Sequence, residues 1–448
     1  MPDWAPQGMS MPTCSRRTVV RGEQRKYFGG RKGMLQRKAL LLILVVVLFQ
    51  AGCGPVPAPF ECADAIGCVE VGPDEPIKIG VIQNLTGQGP PGLFMVHCVE
   101  LAMEDRGSQL LGHPVELVSA DGKCSGEGGT TAALQVTADP QIVGIVGPSC
   151  SGEAVTAMKI VSEAGLVMIS GSSTASSLTS VGGEQGLDWQ PGFLRTAQND
   201  ALAGHAAAIF AFQELGKKKA ATINVGDPYT RGLTDTFRQT FVELGGQLML
   251  DAAVNQGDED MRPILNAVAA SGAELLFFPV YEPEGDYIVL QAAEMEPFEQ
   301  IALMSAEGLW FETFIAAVGE AGVGTYFISP TFAQSAEYSA FLSRYEAKYQ
   351  ESPPSIYDAN TYDAANLLFS AIEAVAIQGK EGTLYIGRQA LRDALYTTAG
   401  FQGLSGSLTC DRYGDCAAAR FNVLRLDDPA AGLEGLAANV VYTYRPEE

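Results

Sequence analysis

Short apolar runs and longer amphipathic stretches take turns along most of this chain. Ile77–Ile82 (IKIGVI) reads as a strand, Val96–Asp105 as a helix, Pro114–Asp121 as a strand and Thr130–Ala138 as a helix. Gln141–Gly147, Glu153–Ala164 and Leu166–Ser170 continue as strand, helix and strand. Period-two runs separated by helical periods predict parallel sheets built from βαβ units. The alternation stops near Arg195 and then restarts. Leu202–Leu215, Thr230–Leu244, Met261–Ala270 and Gly285–Met295 carry helical spacing. Ala220–Val225, Gln247–Val254, Glu274–Tyr281 and Ile301–Glu307 read as the strands among them. Helical segments at 335–350, 356–378 and 388–397 follow, then a β-rich tail from Gly406 to Tyr444. The pattern predicts an α/β protein of two doubly wound parallel-sheet lobes with a hinge and a central cleft. The expected division is 77–197 with 330–400 for lobe one, and 198–329 with 401–448 for lobe two. The hinge strands are expected at 195–198, 329–331 and 400–403.

The N-terminus departs from this pattern. Ala39–Phe49 is an unbroken apolar run of 11 residues, preceded by Arg37 and Lys38 and followed by Gln50-Ala51-Gly52-Cys53. A basic flank, a short apolar run and small residues before a cut describe a secretory signal. A membrane span would need roughly 20 apolar residues. Ala-Gly before Cys53 resembles a bacterial lipobox, with Gln50 standing where that motif usually carries Leu. Cys53 would then become a lipid-bearing N-terminus. Residues 1–52 are thus read as a signal peptide, with Met34 an alternative start. The Pro-, Gly- and acid-rich stretch 53–76 is read as a tether.

Composition sharpens the picture. The chain of 448 residues has a net charge of −23. Residues 1–52 hold nine of its 29 basic and two of its 52 acidic residues, so the remainder carries a net −30. Phosphate backbones repel such a surface, which excludes nucleic acid as a partner. Cys62/Cys68 and Cys410/Cys416 are closely spaced pairs that suit small disulfide loops in an oxidising compartment. Zinc is the alternative, but C-x5-C is wider than the usual ligand spacing and there are only three histidines.

In open α/β sheets, ligands sit beyond the carboxyl ends of the strands. Strand 141–147 runs into Pro148-Ser149-Cys150-Ser151-Gly152, a hydroxyl-rich helix start that suits an anion. Strand 166–170 runs into Gly171-Ser172-Ser173-Thr174. In the second lobe the corresponding positions are Gly226-Asp227-Pro228-Tyr229, Tyr281 and Glu307. One lobe offers hydroxyls and amides; the other offers a carboxylate and two aromatic rings. That division suits a zwitterion.

IKIGVIQNLTG, IVGIVGPSCSGEAV, GLVMISGSSTA, GFLRTA, INVGDPYTRG, YDAANLL and GFQGLSG stand in this order between residues 76 and 445. The chain resembles the branched-chain amino-acid-binding proteins of ABC transporters, which have the type I periplasmic binding fold. The resemblance implies an amino-acid site at Ser151, Ser172, Thr174, Tyr229, Tyr281 and Glu307. Ser151 would hold the ligand carboxylate and Glu307 its ammonium. It also implies a disulfide between Cys124 and Cys150, leaving Cys98 as a buried helical thiol. The segment GQGPPGLF is about one residue short of the family's aromatic contact, with Phe94 the candidate to supply it. The implied protein is a lipid-anchored binding component that serves a membrane permease and needs no cofactor; the sequence gives no sign of oligomerisation, so a monomer is expected. A binding protein or sensor for a small amide or urea is the alternative on the same fold.

Enzymatic readings fare worse. Gly87-Gln88-Gly89-Pro90-Pro91-Gly92 with Asp121 matches a dinucleotide fingerprint on paper, but its prolines lack the N–H groups a pyrophosphate needs. His97, His113 and His205 stand in no triad or zinc-binding context.

Overall fold

The first alternation, from Ile77 onward, builds one twisted sheet. The computed structural model describes residues 62–87, 89–331 and 334–446. The signal peptide, Cys53 and most of the expected tether lie outside them. Lobe one contains β1 (Ile77–Gln83), α1 (Leu93–Glu104), β2 (His113–Asp121), α2 (Gly126–Thr137), β3 (Ile142–Val146), α3 (Ser151–Glu163), β4 (Met168–Ser170) and β5 (Phe193–Arg195). Its parallel strands run in the order β2-β1-β3-β4-β5, with a short antiparallel strand, Gln109–Leu110, outside β2. Strand order reverses between β1 and β3, so the loops after these strands open a crevice there.

Lobe two repeats the design. It contains α4 (Asp200–Ile209), β6 (Lys219–Asn224), α5 (Pro228–Glu243), β7 (Gln247–Ala253), α6 (Arg262–Ser271), β8 (Leu275–Phe277), α7 (Glu284–Ala293), β9 (Ala302–Ala306), α8 (Glu312–Val318) and β10 (Tyr326–Pro330). Two helices return to lobe one, α9 (Ala336–Tyr349) and α10 (Asp358–Val375), followed by α11 (Arg388–Tyr396). The chain ends in β11 (Phe421–Arg425) and β12 (Val440–Tyr444). The second sheet runs β7-β6-β8-β9-β10-β11-β12. Its first five strands are parallel, but β11 and β12 are antiparallel additions, so it is mixed rather than purely parallel.

Each sheet is buried on both faces, which explains why its strands read as continuous apolar runs. In lobe one, Ile79 and Val81 pack under α1, α10 and α11, while Ile82 and Ile145 pack under α2 and α3. In lobe two, Phe278 and Ile223 meet α6, α7 and α8, and Phe277 and Ala220 meet α4 and α5.

The expected boundaries move in three places. Residues 401–417 were assigned to lobe two, yet Phe401, Leu408, Cys410 and Cys416 pack on the lobe-one core. The hairpin 401–408 and the Cys410–Cys416 disulfide close this stretch into a compact loop. The third crossing to lobe two therefore lies between 417 and β11, not at 400–403. Thr331 donates to the Arg420 carbonyl there (3.0 Å), joining two crossings side by side. The tether is also shorter than expected. Cys62 is bonded to Cys68, and Cys68–Val71 pairs antiparallel with 384–387. Helix α8, strand β10 and a helix at Gly432–Ala438 were not anticipated. Each is short enough for its periodicity to pass for loop.

The lobe-one loops are organised by one buried arginine. Arg195 is fully buried at the end of β5 and pairs with Asp415 (2.5 Å). Its guanidinium also donates to the carbonyls of Ser173 (3.2 Å) and Ala175 (2.8 Å) and to the Thr179 hydroxyl. Asp415 accepts in turn from Thr179, Ser180 and Asn199. Removing one partner of such a pair leaves a buried charge uncompensated. Asp415→Ala is expected to cost about 3–5 kcal/mol in urea unfolding; a midpoint equal to wild type would show that the pair organises nothing.

Candidate functional site

All six site residues inferred from sequence meet in one cavity. It is a narrow cleft between the lobes, with a cavity volume of about 30 Å3. Ser151, Ser172 and Thr174 come from lobe one, and Tyr229, Tyr281 and Glu307 come from lobe two. Among the described residues the cavity lining includes no Lys or Arg, and Glu307 is its only carboxylic acid.

Lobe one presents the start of α3. Ser151 is the first residue of that helix, and its Oγ accepts from the Ala175 N–H (3.1 Å), leaving its hydroxyl proton to donate elsewhere. Glu153 binds the amides that precede the helix, those of Ser149 (3.0 Å) and Cys150 (3.1 Å), and also that of Cys124. Burial pushes its carboxyl up to about 7 against the pull of these three N–H groups. The Glu153 N–H faces the Cys150 side chain, which leaves the N–H groups of Ser151 and Gly152 for another acceptor. The Cys124–Cys150 disulfide is present and fixes the residue beside Ser151.

Ser172 lines the cavity and is held by lobe one. Its hydroxyl donates to the Ser149 carbonyl (2.8 Å) and its N–H donates to the Ser170 Oγ (3.2 Å). Both its protons are used inside lobe one, so it can offer a ligand only acceptor lone pairs. Thr174 hydrogen-bonds to buried Asp200 and stabilises its charged form, against the upward push of burial.

Lobe two supplies the other half of the cavity. Asp227 caps α5 by accepting from the Thr230 N–H (2.9 Å), and Pro228 opens that helix. This places Tyr229 on the first turn, where its ring stacks on Tyr281 (centroids 5.2 Å apart). The Tyr229 hydroxyl accepts from the Gly308 N–H (3.1 Å). A Cβ at Gly308 would stand 2.9 Å from that hydroxyl oxygen, so the contact needs glycine. Glu307 follows β9 and is only 6 % exposed. Tyr357, at the N-terminus of α10, donates its hydroxyl to Glu307 Oε1 (3.1 Å). Burial pushes the Glu307 carboxyl up to about 7, although its own N–H and the hydroxyls of Tyr229 and Tyr357 pull it back. Asp200 is raised further, by burial first and by Glu307 second, and its Oδ2 has no partner.

Some lining residues were missed. Tyr357 and Ser355 come from the return to lobe one, and their only sequence signal is the rigid Pro353-Pro354 entry into α10. Pro90, Met95 and Phe311 complete the wall. Phe94, the expected aromatic, is instead buried with Phe341 and Tyr345, because Met95 takes the inward position on α1. A larger groove near the hinge is open to solvent, and Arg106 and Arg344 in it are already paired with Glu373 and Asp105.

The rival residues have structural work. Asp121 accepts from the Leu85 (2.9 Å) and Lys123 (3.1 Å) amides. The ring nitrogens of His113 face the carbonyls of Glu75 and Gly382. His97 stacks on Tyr349, and His205 contacts the Thr240 hydroxyl. The Cys98 thiol is free and buried, as expected. Among the described residues no helix is long and apolar enough to cross a membrane.

A sequence model of periplasmic binding proteins matches residues 76–431. The chain belongs to the periplasmic binding protein family. That family binds solutes and is not enzymatic. The chain is 26% identical to a Leu/Ile/Val-binding protein homologue of Brucella melitensis, over 80% of this chain and 94% of that one. Its fold matches a branched-chain amino-acid transporter substrate-binding protein of Streptococcus pneumoniae in complex with isoleucine, at TM-score 0.68 and 22% identity, covering 83% and 100% of the chains. It also matches an ABC-transporter solute-binding protein of R. palustris in complex with benzoate, at TM-score 0.66 and 21% identity, covering 82% and 97%. Both structures show the type I periplasmic fold.

The raised Glu307 carboxyl has a consequence for the ligand-free protein. Its stabilising neutral form is complete below the ordinary carboxyl range and is lost as pH rises through about 7. Wild type is expected to lose stability from pH 5 to 7 relative to Glu307→Gln, by on the order of 2 kcal/mol, and little more above pH 8. Parallel pH profiles in denaturant titrations would show that Glu307 is already ionised and compensated.

Proposed function

We propose that this chain is the exported, lipid-anchored solute-binding component of an ABC importer. In this reading it holds a small amino acid, branched-chain or otherwise aliphatic, between its lobes. The observation that carries it is the buried Glu307, which faces a cavity with no basic residue in its wall. A ligand ammonium supplies the missing cation. The ligand carboxylate then lies at Ser151 and the first turn of α3, where a helix N-terminus favours an anion. Tyr229, Tyr281 and Tyr357 close around the amine end. The names of the relatives support the amino-acid reading, and a lone benzoate would leave Glu307 without a cation.

Export rests on the signal-like residues 1–52, and anchoring rests on Cys53. Lobe one, stiffened by Arg195 and Cys124–Cys150, is the half that receives the ligand first. Closure about the three crossings brings lobe two onto it, and a permease reads the closed form. The protein acts as a monomer with no cofactor.

A second reading has one observation in its favour. Burial raises the Glu307 carboxyl well above its ordinary range and so favours its protonated form. A protonated carboxyl can donate to the carbonyl of a small amide or urea, which would make the chain a sensor or importer for those compounds.

Melting curves of the unfolded and refolded mature protein separate the two. At 100 times its dissociation constant a ligand adds about 2.7 kcal/mol, a rise of several degrees. Leucine, isoleucine or valine is expected to give that rise, and Glu307→Ala to weaken binding by about 2–5 kcal/mol. A rise with amides or urea alone would replace the amino-acid reading, and wild-type affinity in Glu307→Ala would remove Glu307 from the site.

A further inference from the structure

A second opening lies at the hinge. It is a groove of about 1130 Å3, open to solvent. All three crossings reach it, through Gln198 from the first, Thr331 from the second and Arg420 from the third. The crossings run together there, because Arg195 pairs alongside Asp415 and the Thr331 N–H donates to the Arg420 carbonyl (3.0 Å). Helices α9 and α10 and the 401–408 hairpin form the opposite wall. Small-molecule cavities hold roughly 300–1,000 Å3, so a groove of this size suits a longer chain molecule.

The charged groups of the wall differ in what they have left to bind. Arg106 and Arg344 are paired with Glu373 and Asp105. Asp363 is spent on the hairpin, accepting from the Leu404 N–H (2.7 Å), the Ser405 N–H (2.7 Å) and the Ser405 hydroxyl. Glu337 stands in the first turn of α9, where its own N–H and Ser335 hold its carboxyl below the ordinary range. Arg420 differs from them: its guanidinium has no ion pair or hydrogen bond among the described residues. A guanidinium receives a carboxylate through two parallel N–H bonds. Beyond residue 52 the chain carries a net −30, yet the charge left unspent in this wall is positive.

Gln198 points the same way independently. It is 7 % exposed, and its carbonyl oxygen has no partner among the described residues. A buried amide oxygen left unpaired is costly, whereas an apolar side chain of similar size would carry no such cost. The last torsion of a glutamine is soft, so the amide can turn toward the groove and accept an N–H there.

We propose that the hinge groove is a second binding site, for the carboxyl-terminal end of a peptide. The terminal carboxylate pairs with Arg420, a peptide N–H donates to Gln198, and Phe401 and Leu404 offer apolar surface to the peptide's side chains. A carboxylate beside a backbone N–H is what the end of a peptide presents. The inference does not rest on the amino-acid reading of the interlobe cleft, since none of these contacts needs a ligand ammonium.

The test is calorimetric titration of the refolded mature protein with acetyl-tetraalanine, compared with the same peptide amidated at its carboxyl end. Acetylation removes the ammonium that Glu307 would hold. Wild type is expected to bind the free carboxylate about tenfold or more tightly than the amide. Arg420→Gln is expected to abolish that preference. Gln198→Leu is expected to weaken both peptides several-fold without lowering the melting temperature, which a merely structural role for Gln198 would do. Glu307→Ala, in the other cleft, is expected to leave both affinities as they are. No binding of either peptide by wild type would overturn the inference, as would equal binding of the two or a carboxylate preference that survives in Arg420→Gln. Loss of peptide binding in Glu307→Ala would place the peptide between the lobes and overturn it as well.

Discussion

A carboxylate buried without a cation is the constraint on which this site depends. Desolvating an ion costs several kcal/mol, roughly, unless a partner repays it. Glu307 has two tyrosine hydroxyls and its own backbone N–H, but no Lys or Arg in the cavity wall. Its carboxyl therefore rises toward 7, and its neighbour Asp200 rises with it. The ligand-free site is poised between a neutral acid that is comfortable and an ionised one that is not. An ammonium arriving between the lobes resolves this in favour of the ion. On the proposed reading the same interaction draws lobe two over the ligand, because Glu307, Tyr229 and Tyr281 all stand on that lobe.

Lobe one supplies the fixed half. Arg195 and Asp415 tie strand β5, the Ser173–Ala175 loop and the disulfide-closed 410–416 loop into one unit. Glu153 and the Cys124–Cys150 bond fix the start of α3 in the same way. Anion recognition by backbone amides demands such rigidity, because N–H groups cannot be re-aimed by changing a rotamer. The energetic strain of the site is thus held in lobe two, and its geometry is held in lobe one.

Much of this was legible in the sequence, for a physical reason. Buried parallel strands announce themselves as apolar runs, and ligand residues sit just beyond their carboxyl ends. Ser151, Thr174, Tyr229 and Glu307 could therefore be placed without coordinates. What stayed hidden depended on direction or on long-range packing. No local pattern shows that the Ser172 hydroxyl turns inward to Ser149, or that Met95 rather than Phe94 faces the cavity. Residues 401–417 pack on lobe one because Leu408 and Cys416 find its core, a fact that separation along the chain conceals. Tyr357 enters from a helix that returns from the other lobe, so no strand end marks it.

The most direct measurement compares one amino acid with its 2-hydroxy analogue, leucine against 2-hydroxy-4-methylpentanoate, by calorimetric titration of the refolded protein. The two ligands share the carboxylate and side chain and differ only in the group that meets Glu307. The account predicts that replacing the ammonium by a hydroxyl weakens binding by about 100-fold or more, since the buried carboxylate would lose its only cation. Equal or tighter binding of the hydroxy acid would contradict it, and would mean that Glu307 is not the ligand's counter-ion.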